Sequence, residues 1–164
     1  MPPVAPRPPQ DEPARHDIDD DFRSLMEGLR TTLPGVQLIS AFLLILPFQT
    51  AFGELSHPER GAFHIAFVSA LMSSLLLMAP ATHQRLRARS DGTVARRTPR
   101  HVKVATRLAT AGSVLFAVAL VAVAYLVASV VLGTLEAVVL TAAVAVLGAW
   151  SWFYLPLVSF EREA

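Results

Sequence analysis

The chain contains no cysteine. Disulfide frameworks, thiolate metal sites and cysteine nucleophiles are all excluded, and the redox compartment leaves no mark on the composition. Charge is scarce too, at 16% of residues, beside 53% hydrophobic residues and a mean hydropathy of +0.48 over 164 residues. A soluble domain of this length carries more polar surface than that, so lipid is the expected solvent. HExxH, GxSxG, a phosphate-binding glycine loop, GxGxxG and paired carboxylates are also missing, and these are the patterns that place a nucleophile, a metal or a nucleotide. His57 and Glu59 lie close together, but Pro58 between them and a capping role for Glu59 explain the pair without a metal. The chain reads as non-enzymatic, with no cofactor implied.

What is present is strongly segregated. The net charge of +1 averages acids near the N-terminus and bases in the middle of the chain. Six prolines within the first 13 residues hold φ near −65° and remove amide donors, so residues 1–17 read as a disordered, polyproline-like tail. No short apolar stretch of the secretory type precedes residue 30, and the first hydrophobic span is expected to direct insertion itself. In residues 18–33 Phe22, Leu25, Met26, Leu29 and Leu33 recur at spacings of three and four, an amphipathic helical face. Asp19, Asp20 and Asp21 sit where carboxylates cap free amides, and Pro34 is expected to end the helix. Such a helix either lies along the bilayer interface or docks a soluble partner, and its three aspartates oppose anionic lipid.

Four apolar runs follow, at residues 35–53, 61–79, 109–132 and 136–157. At about 1.5 Å per residue each covers most or all of a hydrocarbon core of ~30 Å. The fold expected over 34–158 is therefore all-α, a polytopic bundle of four transmembrane helices in two hairpins, with a short tail at 159–164. Ser56-His57-Pro58-Glu59 reads as a capping box opening the second helix, which is expected to stop at Pro80. Gly133-Thr134-Leu135-Glu136 divides the last apolar stretch into a hairpin, glycine ending one helix in left-handed geometry and Thr134 capping the next. Trp150, Trp152, Phe153 and Tyr154 mark an interfacial end of the fourth span.

Residues 81–107 form the basic segment. His83, Arg85, Arg87, Arg89, Arg96, Arg97, Arg100, Lys103 and Arg107 face a single acid, Asp91, whereas Arg60 is the sole Lys or Arg in the two opposite loops. By the positive-inside rule this loop and both termini are expected in the cytoplasm, on the inner (plasma) membrane. The same bases are candidates for binding lipid headgroups or a phosphorylated ligand, or they act only as the topology determinant. No aromatic interleaving accompanies them, so nucleic acid is not an expected partner. Membrane lipid and either a second copy of the chain or another membrane protein are.

Helices in lipid associate through small residues and interhelical hydrogen bonds. Ala66, Ala70 and Ser74, then Ala109, Ser113 and Ala117, then Ala137, Thr141, Ala145 and Ala149, recur every four positions as expected seams. Polar candidates within the spans are Gln37, Gln49 and His64, joined by the hydroxyls of Ser40, Ser69, Ser73 and Thr110. They serve either as interhelical links or as the lining of a path. Pro47 within the first span would free the carbonyl of Leu43 and kink the helix, either for packing or to gate a small transporter or channel.

Leu33-Pro34-Gly35-Val36-Gln37, Ala41-Phe42-Leu43-Leu44 and Pro47-Phe48, followed by Ala79-Pro80, His83-Gln84-Arg85 and an apolar helical hairpin, carry a resemblance over roughly residues 20–158. In these segments the chain resembles a domain-of-unknown-function family of small multi-span membrane proteins from actinobacteria. The resemblance implies four spans and an inner-membrane location, and no activity.

Overall fold

The computed structural model describes residues 12–90 and 99–154. The expected tail up to residue 11, Arg96, Arg97 and the last ten residues lie outside them. Four helices carry the fold: α1 (Glu12–Ile45), α2 (His57–Ser90), α3 (Pro99–Val131) and α4 (Thr134–Ala149). Two 3₁₀ turns, Leu46–Phe48 and Thr50–Glu54, join α1 to α2, and a π-helical turn, Trp150–Tyr154, extends α4. No strand occurs among the described residues.

The expected break at Pro34 is absent. α1 runs from Glu12 through Pro34 to Ile45, so the amphipathic segment and the first span are one continuous helix that also takes in residues 12–17 of the expected tail. The reason lies in the packed face. Phe22, Leu29, Val36, Ser40 and Leu43 are buried and Leu33 half-buried, an alternation of three- and four-residue steps that carries across position 34 without a phase shift. Burial on both sides outweighs one lost backbone bond at an exposed proline. Pro80 repeats the case: α2 continues to Ser90, and Leu77 and Pro80 are buried on the same stripe. Hydroxyls double up on carbonyls in the turn beside each proline, Thr31 and Thr32 donating to Gly28 O at 2.8 and 3.0 Å and Thr82 to Met78 O at 3.1 Å. Much of the expected basic loop is consequently helix, Arg85, Arg87 and Arg89 falling on the end of α2 and Arg100, Lys103 and Arg107 on the start of α3.

The starts of α2 and α4 follow the acids. Ser56 gives both its N–H and its hydroxyl to Glu59 Oε2, each at 2.7 Å, at the entry to α2. At α4 the cap is Gly133 itself, extended at φ −68° and ψ 160°, with its N–H on Glu136 Oε2 at 3.0 Å. The left-handed glycine and Thr134 cap expected here are replaced by this simpler arrangement, in which the carboxylate takes the free amide from inside the first turn.

The α2–α3 pair is the centre of the bundle, α1 packing on both members and α4 on α3. Its contact is built from small residues. Ala66, Ala70 and Ser73 on α2 and Ala109, Gly112 and Ala119 on α3 are buried. The expected four-residue spacing is only partly followed: Ser74, Ser113 and Ala117 are half-buried and Ala149 exposed. A strict step of four drifts about 40° per turn of helix, and the seam corrects for it by alternating threes and fours.

Four helices, Phe22–Phe48, His57–His83, Val102–Val131 and Thr134–Trp152, are long and apolar enough to cross a membrane. Their apolar side chains point mostly outward: Phe48 is 86% exposed, Leu135 78% and Val131 73%. Water-soluble monomers do not expose apolar surface on this scale, and the arrangement is that of a membrane protein.

Candidate functional site

The polar positions singled out in the spans do not converge. Gln37, Gln49, His64 and Pro47 are each exposed. Gln49 lies beyond the end of α1, between the two 3₁₀ turns, its N–H on Leu46 O and its carbonyl accepting Phe52 N–H, both at 3.1 Å. Pro47 does not kink a span. It occupies the second position of the Leu46–Phe48 turn, where no helical amide is required of it. His64 faces outward on α2, its ring tilted beside Phe63 at 5.7 Å.

The hydroxyls behave differently. Ser73 Oγ crosses from α2 to the Gly112 carbonyl on α3 at 2.7 Å, fully buried, and Ser40 of α1 meets Ser74 of α2 at 3.5 Å. Ser73 could be read from the sequence only as one hydroxyl among several, and Gly112 carried no signal of its own, because the close approach belongs to a pair of helices. A Cβ on Gly112 would stand 2.8 Å from the Leu77 side chain, itself fully buried. Replacing Ser73 by Ala is expected to lower bundle stability by about 0.6–1.7 kcal/mol in a bilayer-mimetic unfolding titration, the span found for hydrogen bonds between membrane helices. The same change at exposed Thr106, whose hydroxyl only returns to Val102 O at 2.9 Å, should cost nothing measurable.

At the end of the bundle holding the α1–α2 connection, Phe52 folds back edge-on to Phe63 at 4.9 Å, and Phe63 stacks on Phe67 at 5.8 Å. Arg60 Nη2 donates to Gly53 O at 2.8 Å. Glu54, Glu59 and Glu136 share this end, whereas His83, Arg85, Arg100, Lys103 and Arg107 occupy the other, all five exposed.

One concave feature escaped sequence reasoning. α2 and α4 stand apart on either side of α3 and leave an open groove of about 700 Å³ between them. Gly61, Ala62 and Ile65 form one wall, Ala145 and Gly148 the other, and Val114, Val118 and Tyr125 lie along the floor. Trp152, on the π-helical turn, borders the groove and stacks on Phe116 at 6.0 Å. π-helical turns recur at functional positions. Here the wider turn carries the indole across to α3. The only available signal was the density of glycine and alanine on facing helices, which reports close packing as readily as a gap. Among the described residues no three His, Asp or Glu side chains are grouped to hold a metal ion.

The family model of DUF6328, described as a family of unknown function, matches residues 11–156. The chain belongs to DUF6328. The DUF6328 match begins with α1 and takes in all four spans, the groove and the Ser73–Gly112 link, and the unknown-function family expected from the sequence is thereby shown. Neither a curated protein nor a solved structure matches the chain.

Proposed function

We propose that this chain is a non-enzymatic component of the inner (plasma) membrane, an accessory subunit that works by lateral association within the bilayer, with its basic end and both termini in the cytoplasm. The observation that carries this reading is α4. Only 6% of its spanning window is buried, against 33% for α2, and Leu135, Val138, Val139, Val146 and Leu147 all point away from the bundle. A helix so loosely held by its own chain has most of its surface free for a neighbour, and small side chains such as Ala142 and Ala143 permit close helix approach. The charge asymmetry between the two ends supports the orientation. Transport through a kinked first span has less support, since Gln37, Gln49 and His64 face outward separately.

A photo-crosslinker at Val139 in native membranes is expected to give a discrete protein adduct, a second copy or a partner subunit, while one at buried Ala66 gives only intramolecular products. Lipid adducts alone from Val139 would remove the reading. A reporter fused at the C-terminus should be active only on the cytoplasmic side.

A further inference from the structure

One face of α3 joins the basic end to the groove. At 100° per residue, Val114 and Val118 lie within about 20° of the direction of Arg107, Tyr125 returns to it, and Arg100 and Lys103 fall about 20° and 40° away. Arg100, Lys103 and Arg107 are exposed, and Val114 and Val118 are 40% and 41% exposed. The same stripe is thus cationic over its first turns and apolar along the groove floor. Between the two parts lie Thr110 and Ala111, exposed and small, with the Thr110 hydroxyl turned back to Thr106 O at 2.9 Å.

From Val114 to Tyr125 the floor rises about 16 Å, roughly half of a hydrocarbon core of ~30 Å. That is the depth of one leaflet. The volume of about 700 Å³ lies within the range of small-molecule sites, and the lining is almost wholly apolar. Long basic side chains can extend along the helix to the headgroup layer. Among the described residues the acids of the basic end lie on α1, which packs against the opposite side of α3: Leu29 shares a buried cluster with Ala109 and Phe116, and a Cβ on Gly35 would lie 3.6 Å from Phe116. The opposite end of the bundle carries Glu54, Glu59 and Glu136, and Arg60 there is held by Gly53 O. Among the described residues, the charges near the groove favour an anion at the basic end.

We infer that this face binds an anionic glycerophospholipid, its phosphate held between Lys103 and Arg107 and one acyl chain lying in the groove over Val114 and Val118. The inference requires only that the chain sits in a bilayer and stands apart from the accessory-subunit reading.

The test uses the full chain in mild detergent and native mass spectrometry with phosphatidylglycerol and phosphatidylcholine of identical acyl chains. Two juxtamembrane bases predict a preference for phosphatidylglycerol of about 25-fold, and K103Q/R107Q should bring it close to unity. R23Q/R30Q, on exposed positions of α1, should leave it intact. Ala145→Trp fills the groove and should lower retention of both lipids at unchanged helix content by circular dichroism. Equal retention of the two headgroups, an equal loss with R23Q/R30Q, unchanged binding after Ala145→Trp, or a dimer that Ala145→Trp dissociates would each overturn the inference.

Discussion

Gly112→Leu is expected to separate α2 from α3 and unfold the bundle, with a loss of about 3 kcal/mol or more. The first carbon of any side chain at this position meets Leu77 at 2.8 Å, and Leu77 has no exposed surface through which to retreat. Leu76 Cβ closes the remaining space at 3.4 Å. Leucine adds three more carbons and would also push the Gly112 carbonyl away from Ser73 Oγ, breaking the buried 2.7 Å bond. Alanine makes a sharper comparison. It recovers about 1 kcal/mol of helix propensity against an overpacking cost of about 1–3 kcal/mol, so Gly112→Ala should be neutral to mildly destabilising. Leu77→Ala alone should cost about 2–5 kcal/mol as a cavity, but the double variant Gly112→Ala/Leu77→Ala should lose less than the sum, because each change relieves the other. Unfolding in bicelles by circular dichroism gives all four values. Strict additivity would show that the two residues are not in contact.

Val68→Arg should prevent stable insertion of the second span. Val68 lies near the middle of His57–His83 and is 58% exposed. On a water-soluble protein an arginine at such a position is harmless. At the centre of a membrane helix it costs about 3 kcal/mol, roughly a 100-fold change in the inserted fraction. A glycosylation-reporter insertion assay on this span should show the drop. The same substitution at exposed Thr82, one turn from the basic end, should be tolerated because its side chain reaches the headgroups.

The four helices were legible because the signal they rest on is local: a run of apolar side chains long enough to match a bilayer is visible in one dimension. Their ends were less so. Pro34 and Pro80 are strong local stops, yet both helices continue, because the buried stripe on either side keeps its phase and packing outweighs one backbone bond. The seams were half legible. Alanines every four residues pointed to Ala66, Ala70 and Ala109 correctly, but the true pattern steps by threes and fours, which brings in Gly112, Phe116 and Ala119. Gln37, Gln49 and His64 looked alike as polar residues in apolar runs; the rotational setting of α1 and α2 turns Gln37 and His64 outward, and Gln49 falls in the connection beyond α1. The groove could not be read at all, since it is a property of the space between α2 and α4 and no residue type marks it.

The division of burial among the helices has a consequence for how the molecule is made. With 33% and 28% of their spanning windows buried, α2 and α3 form a spine, while α1 at 11% and α4 at 6% hang on it like hinged panels. By the positive-inside rule the bases on the end of α2 and the start of α3 are expected to fix the orientation of that hairpin as it is made, giving α4 a surface to meet. A neighbour that displaced an outer helix would leave the joint at Ser73 and Gly112 in place, because that bond ties α2 to α3 alone.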